Sequence, residues 1–425
     1  MRCRVVFPMF CCVALCGLLA SIAHCANWPN WRGPDFNGVV REGKGFPTKW
    51  SSTENVLWKI VLPGKGASTP IVWEDRIIVT CAIDKSNGVL CLDRNGKQLW
   101  HKTIGTEKPG KHGKATGCNP SAVTDGKLLY VSFLDHGKMF ISAYDFAGEE
   151  VWKVWPGVFS SVHGYCSSPI IFEDKLIING DHDGDAYLVA IKKSNGDTVW
   201  KTPRENRTRS YCTPIVREID GRTQMVLSGN KCVASYDPHD GSRHWIIDGP
   251  TEQFVASVVY SHDLLFVTGG FPEHHVLTIK PNGAGNVTSS HIAWRHTGKL
   301  ASYVPSPIAV GDYFLIVSDD GLATCLDART GKVQWQNKLS RHSSASLVAA
   351  GGLVYFLDDF GVTQVVKPGP EFEAVAVNNL FDQAQGEGDK DLCSASPAIS
   401  QGQIFIRSDK FLYCIGKAAP TTAQK

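Results

Sequence analysis

The chain has 425 residues, of which 43% are hydrophobic and 20% are charged, and its formal net charge is +2. This composition is ordinary for a globular protein, and the length suits one large all-β domain. The near-neutral charge, with no long basic or acidic run, argues against nucleic acid or an anionic membrane surface as a partner.

The chain begins with a candidate export signal. Two arginines precede an almost wholly apolar stretch from Val5 to Ala23, and the sequence turns polar and aromatic after Ala26. This order predicts a secretory signal peptide over residues 1–26, with an uncleaved membrane anchor as the alternative. We therefore expect an exported protein, periplasmic or in the outer envelope.

The end of this leader allows two outcomes. Ile22-Ala23-His24-Cys25 resembles a lipoprotein box in which Cys25 carries the lipid, although His24 stands where a small residue is expected. Cleavage after Cys25 or Ala26 would instead release a soluble protein. A lipid anchor is thus the expected route, if any, to a membrane.

Residues 27–54 form an N-terminal extension that opens with the motif WPNWRGP at residues 28–34. A repeated unit follows over residues 55–416, and residues 417–425 are predicted to be a flexible tail. Each unit reads as a small residue and Pro, two strands joined by an Asp/Gly turn, a third strand ending in Asp, and a strand ending in Trp. The tryptophans recur every 41 to 52 residues at Trp58, Trp100, Trp152, Trp200, Trp245, Trp294 and Trp335.

This period is the length of a four-stranded propeller blade, roughly 40–50 residues. The units start near residues 68, 119, 168, 213, 256, 306, 345 and 396, which predicts eight blades. The last unit lacks a fourth strand, whereas residues 56–61 read as a strand without a blade. The predicted fold is therefore an all-β, eight-bladed propeller of antiparallel blades, closed by this N-terminal strand so that no sheet edge stays open.

The chemistry of the repeat is structural. An Asp that can bond its own turn backbone precedes a Gly that accepts positive φ, as at Asp93, Asp145, Asp237 and Asp327. The Trp of each unit is expected to seal adjacent sheets, with its ring N–H needing a partner. The repeat therefore specifies architecture rather than activity.

The cysteines fit the same pattern. Of 14 cysteines, nine follow the leader, an odd number that cannot pair completely within one chain. Cys91 and Cys325 occupy a repeat position that Ala143 and Ala190 fill elsewhere, which indicates a small buried apolar residue. Export would permit disulfides, but the spacing does not establish one.

The signature Ala/Cys-x-Asp-x-x-x-Gly-x-x-x-Trp, clear in five copies, resembles the PQQ-like (quinoprotein-type) repeat over most of residues 55–416. The WRGP motif resembles the N-terminus of many exported bacterial proteins with this repeat. The resemblance implies one of two activities. Some members are dehydrogenases that use pyrroloquinoline quinone and calcium, and others are cofactor-free propellers, including the scaffold lipoprotein of the outer-membrane-protein assembly machine.

The dehydrogenase branch is the less favoured of the two. The resemblance would require a vicinal disulfide over the quinone, a Trp beneath it, calcium ligands and an Asp base. The adjacent cysteines in this chain, Cys11 and Cys12, lie in the leader, and the chain lacks room for the usual insertions. We expect a non-catalytic protein without a cofactor, with a quinone-dependent oxidoreductase and a carbohydrate-binding propeller as alternatives.

Two motifs could hold a metal. Asp181-His182-Asp183-Gly184-Asp185 resembles a calcium loop, but Lys192 stands where an EF-hand needs Glu, so an ordinary blade turn is expected. The pair His274-His275 lies on a strand, where adjacent side chains point to opposite faces. No metal site is therefore predicted.

The loops before the first strand of each blade are expected to converge around one mouth of the channel. They carry a mixture of basic and aromatic residues, which suits an anionic polymer, an acidic glycan or a partner's peptide. The leading hypothesis is a scaffold in the cell envelope that binds another protein through this rim and through residues 28–34. The rim candidates are Lys111, His112, His163, Tyr165, Arg207, Arg209, Tyr211, Tyr303, Arg341 and His342.

Overall fold

The computed structural model describes residues 27–41, 43–105, 115–381 and 391–417. These residues form strands, turns and loops, with no α-helix among them. Nothing in the described ranges is a helix long and apolar enough to cross a membrane. The predicted leader lies outside these ranges, as do Lys111 and His112.

Eight sheets follow one another along the chain, which confirms the predicted all-β propeller. Blades 1 to 4 contain β3 to β18, four consecutive strands each. Blade 1 has β3 to β6 (Ile71–Trp73, Arg76–Ile83, Ser86–Asp93, Gln98–Thr103), and blade 2 has β7 to β10 (Val123–Thr124, Leu129–Asp135, Lys138–Tyr144, Glu150–Val158). Blade 3 has β11 to β14 (Ile170–Phe172, Lys175–Gly180, Tyr187–Lys192, Thr198–Pro203), and blade 4 has β15 to β18 (Ile215–Ile219, Arg222–Gly229, Cys232–Tyr236, Arg243–Asp248).

The remaining blades contain the other long strands. Blade 5 has β19 to β21 and β23 (Val259–Ser261, Leu264–Gly269, His275–Ile279, Ile292–Thr297), and blade 6 has β24 to β27 (Ile308–Val310, Tyr313–Val317, Leu322–Asp327, Val333–Lys338). Blade 7 has β28 to β31 (Val348–Ala350, Leu353–Leu357, Val362–Lys367, Glu373–Asn379), and blade 8 has β32 to β34 (Ala398–Ser400, Gln403–Arg407, Phe411–Ile415).

Three N-terminal or inserted strands complete these sheets. β2 (Val56–Val61) pairs antiparallel with β34 and supplies the fourth strand of blade 8, as predicted. β1 (Val39–Val40) adds to blade 7 in parallel with β28, and β22 (Gly285–Asn286) adds to blade 4 in parallel with β18. The ring is therefore closed by hydrogen bonds between the two ends of the described chain.

Burial explains the two sequence patterns within a blade. Middle strands such as β13 are buried over nearly their whole length and read as continuous apolar runs, because neighbouring blades cover both faces. Outer strands such as β23 alternate between partly buried and exposed residues, the pattern of a half-solvated strand.

The repeated tryptophans join successive blades. Each indole N–H donates to a main-chain carbonyl at 2.7–3.4 Å, 34 to 46 residues later in the chain. Across the strand pair the Trp faces a small residue, such as Cys91 opposite Trp100 and Ala143 opposite Trp152. The alternation of Cys and Ala thus reflects the space that the indole leaves. The described cysteines form no disulfide, and all but Cys166 are buried.

The turn aspartates complete this contact. The Asp93 carboxylate accepts the backbone N–H groups of Asn95 and Lys97 at 2.8 and 2.9 Å, and Asp145, Asp237 and Asp327 bond their own turns in the same way. The turn ends at a glycine with positive φ. At Gly331 an added Cβ would lie 2.5 Å from the Trp294 ring, so the turn of one blade and the indole of the previous blade require glycine there.

The disc has two unlike faces. Strands alternate in direction, so the loops that lead into each first strand emerge on the same face as the loops between second and third strands. We call this the loop face. The first strands contact one another around the central channel and end at the opposite face.

Candidate functional site

Residues 28–40, here called the closing segment, cross the channel at the face opposite the loop face. Trp28 and Val72 exchange two backbone hydrogen bonds of 2.8 Å in blade 1, and the Pro29 carbonyl accepts from Thr124 in blade 2. At its other end, β1 joins blade 7. The segment therefore closes one end of the channel with residues outside the repeat.

Arg32 fixes the middle of the closing segment. Its guanidinium is buried and donates to the carbonyl oxygens of Pro307 at 2.6 Å, Asn37 at 2.8 Å and Ser306 at 3.3 Å. Burial lowers the pKa of Arg32 to about 9, so it stays protonated at neutral pH. Trp28 is also fully buried. Intrachain packing thus buries most of the motif, while Trp31 is partly buried and Pro34 is exposed, and a role of residues 28–34 in binding a partner stays a prediction.

A ring of hydroxyl groups surrounds the channel where the first strands begin. In consecutive blades, the backbone N–H of one blade donates to the hydroxyl oxygen of the next at 2.9–3.0 Å. The acceptors are Ser121, Ser168, Thr213, Ser306, Ser346 and Ser396. The ring has a partial signal in the sequence, because a Ser or Thr stands directly before the repeat's Pro at Ser168, Thr213, Ser306 and Ser396.

A cavity of about 210 Å³ fills the channel above the closing segment. Its floor is Trp31, whose indole N–H donates to Ser257 Oγ at 3.0 Å. The wall contains four residues of the hydroxyl ring, Ser168, Thr213, Ser346 and Ser396, together with other residues that include Cys166 and Val304. His163, Tyr211 and Tyr303 lie at the same site, so the structure brings together three of the ten predicted rim residues.

Hydrogen bonds at the phenol oxygens hold the rings of Tyr211 and Tyr303 in place. Tyr211 Oη lies 2.9 Å from Ser161 Oγ, and Tyr303 Oη donates to Gln253 Oε1 at 3.2 Å. The Asp319 carboxylate also accepts the backbone N–H of Tyr303 at 2.7 Å. Burial raises the pKa of Tyr303 to about 12, so the ring stays neutral. The tyrosines therefore contribute carbon surface rather than charge.

The loop from Asp181 to Asp185, which resembles a calcium loop in sequence, holds a row of ion pairs. Its three aspartates each meet an arginine of the next loop: Asp181 with Arg204 at 2.8 Å, Asp183 with Arg209 at 2.7 Å, and Asp185 with Arg207 at 2.7 Å. The first pair is fully buried, whereas the Arg207 pair is largely exposed. Carboxylates committed to arginines are poor calcium ligands, and nowhere in the described ranges do three or more His, Cys, Asp or Glu residues form a metal-binding group.

The same ion pairs reduce the positive charge that was expected at the rim. Arg207 and Arg209 each lie beside a carboxylate, and His342 Nδ1 lies 2.9 Å from Asp359 Oδ2. Tyr165 is buried and packs edge-on against Phe159, away from the mouth, while Arg341 is exposed. Three of the basic rim residues that the structure describes, Arg207, Arg209 and His342, are thus balanced by carboxylates of the same chain.

His274 and His275 lie in different surroundings, because β21 begins at His275 and His274 belongs to the loop before it. His275 is buried between Glu273, 3.1 Å away, and Arg295, 2.8 Å away, whereas His274 is exposed. Burial first, and then the charge of Arg295, keep the pKa of His275 below its usual value despite Glu273. The pair does not form a common metal site.

The residues of the cavity do not fit pyrroloquinoline quinone. That cofactor is an anion and needs cationic partners and calcium ligands, but no carboxylate, ammonium or guanidinium group lines the cavity in the described part of the chain. A volume of 210 Å³ is also below the roughly 300–1,000 Å³ of sites for drug-sized ligands. We therefore derive no chemical step through a quinone.

Comparisons with solved structures support the fold. BamB from Moraxella catarrhalis superposes with a TM-score of 0.59 at 14% identity, covering 84% of this chain and 98% of that one. The quinohemoprotein alcohol dehydrogenase of Comamonas testosteroni gives 0.61 at 13% identity, covering 94% and 82%. The computationally designed protein Ika8 gives 0.58 at 8% identity. At such identities, an enzyme, an assembly factor and a designed protein share the fold alone.

Sequence comparison is more selective. The outer membrane protein assembly factor BamB of Shewanella oneidensis is 23% identical over 195 residues, which span 44% of this chain and only 46% of that relative. The family profile described as outer membrane protein assembly factor BamB matches residues 85–259 and 283–406, well over half of the chain and all eight blades in whole or part. This chain therefore belongs to the BamB family of PQQ-like repeat propellers.

Proposed function

We propose that this protein is an exported, non-catalytic scaffold that binds a partner protein of the outer-membrane-protein assembly apparatus through its loop face. Family membership supports a role of this kind, and it supports a location in the cell envelope. The closing segment already occupies the opposite end of the channel. The loop face is therefore the face on which a partner can reach both the cavity and the surrounding loops.

The observation that carries this proposal is the distribution of exposed apolar residues on the loop face. Val162, Phe271 and Phe360 are 42%, 52% and 41% exposed, and all three lie in loops of this face. The charged residues near them are largely paired with each other. Exposed apolar side chains on the face where a cavity opens, with charges paired, are typical of a surface that another protein covers.

Copurification from the cell envelope tests the proposal. The variant Phe271→Asp/Phe360→Asp should lose its partner, because a charge would enter the apolar contact. Val377→Asp is the matched control: Val377 is 63% exposed but lies on the outer strand β31, so this variant should retain the partner. Equal recovery of assembly-apparatus proteins by both variants and the unchanged protein would contradict the proposal.

A further inference from the structure

We propose that the central cavity accepts one apolar side chain of the partner protein, aromatic or large aliphatic, which enters from the loop face and contacts Trp31. This inference rests on the proposed scaffold function and specifies how the partner is held. It treats the cavity as an anchoring pocket rather than as a cofactor or substrate site.

The size of the cavity favours a single side chain. At about 210 Å³ it is several times the roughly 30 Å³ that one water occupies, yet it is smaller than the roughly 300–1,000 Å³ of pockets for drug-sized ligands. One end is closed by Trp31 and the other opens among the loops. A group that enters must therefore be short, and it must be attached to something that remains outside.

The chemistry of the wall favours an apolar group. Charged side chains are absent from the lining in the described ranges, and most of the exposed lining is carbon. The hydroxyl oxygens of Ser168, Thr213, Ser346 and Ser396 already accept backbone N–H groups. Burying a charged group here without a partner for its charge would be strongly unfavourable, whereas burying an apolar side chain is favourable.

The cavity is also held in shape before any partner arrives. The Trp31 indole donates a hydrogen bond to Ser257, and its chain neighbours Asn30 and Arg32 are both buried. The phenols of Tyr211 and Tyr303 are fixed by Ser161 and Gln253. A pocket that needs no reorganisation loses little of its binding free energy to ordering, which is the condition under which one buried residue can dominate an interface.

Cys166 provides a direct probe of occupancy. It lines the cavity and is half-buried, whereas the other eight described cysteines are buried. Alkylation of the exported, purified protein by N-ethylmaleimide, followed peptide by peptide with mass spectrometry, would report access to the cavity. Millimolar N-acetyl-tryptophanamide or N-acetyl-leucinamide should slow labelling of Cys166 at least threefold. Equal concentrations of N-acetyl-aspartate or methyl glucoside should leave the rate unchanged.

Protection by methyl glucoside but not by the apolar amides would make this a sugar site and overturn the inference, as would protection by none of the compounds. A variant that fills the cavity provides the second test of the inference. Ser394 lines the cavity, so Ser394→Phe should abolish the protection and also reduce partner recovery at least tenfold. Ser160→Phe is the matched control, because Ser160 is exposed on the same face outside the lining.

The two proposals fail in different ways. If the apolar amides protect Cys166 but Ser394→Phe recovers the partner as well as Ser160→Phe does, the anchoring inference is wrong while the scaffold function stands. If Phe271→Asp/Phe360→Asp also retains the partner, the scaffold function itself is wrong. Loss of the partner in both cavity and loop-face variants, with a folded protein in each case, supports both proposals.

Discussion

The two faces of the disc are stabilised in opposite ways. On the closed face, the closing segment buries Trp28 and Arg32, and the Arg32 guanidinium donates to three carbonyl oxygens of the chain. On the loop face, aspartates and arginines pair with each other, while phenylalanines and a cavity remain uncovered. The closed face thus contributes to stability, and the loop face keeps apolar surface that would be buried by a partner.

This difference has a physical consequence for mutations. A change to a buried residue of the closing segment should act through stability, because Trp28 and Arg32 are covered by the chain itself. A change to an exposed residue of the loop face should act through binding and hardly affect stability. The predictions below test this division by placing matched variants on each side of it.

The largest expected loss of stability follows from breaking the buried ion pair between Asp181 and Arg204, beneath the loop face. Arg204→Met leaves the Asp181 carboxylate buried without its partner and removes a bond to Tyr236, so we expect the free energy of unfolding to fall by about 3–5 kcal/mol. The double variant Asp181→Asn/Arg204→Met removes the unpaired charge and should recover part of this loss. Urea denaturation measures both, and a double variant less stable than the single one would contradict the account.

On the closed face, Arg32→Met should lower the free energy of unfolding by about 2–3 kcal/mol, because three carbonyl oxygens lose a charged donor. Arg41→Ala is the control within the same part of the chain. Arg41 pairs with Asp35 at 3.1 Å but is 73% exposed, so its loss should cost less than about 1 kcal/mol. Thermal unfolding of the two variants side by side would show whether the closing segment depends on the buried arginine.

A pH effect is expected at Asp358, next to Phe360 on the loop face. Burial raises the pKa of Asp358 from 3.8 to about 6, although two backbone N–H groups oppose the shift. The folded state therefore holds this proton more tightly than the unfolded state, and stability falls as the pH rises from about 4 to 6.

Asp358→Asn keeps an acceptor oxygen for both N–H groups but cannot ionise. Relative to this variant, the unchanged protein should lose on the order of 2 kcal/mol between pH 4 and pH 7. Urea midpoints across that range are the measurement. Parallel pH profiles for the two proteins would show that Asp358 does not carry the effect.

The smallest effect is expected at the exposed end of the ion-pair row. Arg207 and Asp185 are 75% and 86% exposed, so Arg207→Ala should change the free energy of unfolding by less than about 1 kcal/mol. It should also leave partner recovery near its original level, because the pair is already neutral. Loss of the partner in this variant would restore the hypothesis of a basic rim.

The sequence predicted the repeat well because its signals are local and repeated. Where all three are present, the Trp of one blade packs on the turn Asp and Gly of the next, as Trp100 does on the turn of Asp145 and Gly148, so their spacing reports the architecture directly. Blade 7 lacks the Trp, and in the structure Trp50 of the extension stacks on Tyr355 there. No local pattern in the sequence indicates that Trp50 packs on blade 7, because Trp50 and Tyr355 lie 305 positions apart.

The candidate site was harder to predict because it depends on contacts between distant residues. Arg207 and Arg209 looked like a basic rim only while their partners in the preceding blade were unknown. Trp31 looked like part of an exposed motif, but its bond to Ser257 spans 226 residues. Residue types thus indicated which loops meet at the mouth, whereas charge balance and burial required coordinates.

Site-specific photo-crosslinking in the cell envelope tests the central claim most directly. A photoreactive amino acid would replace Phe271 or Phe360 on the loop face, or Asp174, which is 72% exposed at the opposite face. We predict that both loop-face positions cross-link to the same protein of the outer-membrane-protein assembly apparatus, and that position 174 does not. Cross-links from position 174 alone, or equally from both faces, would contradict the account.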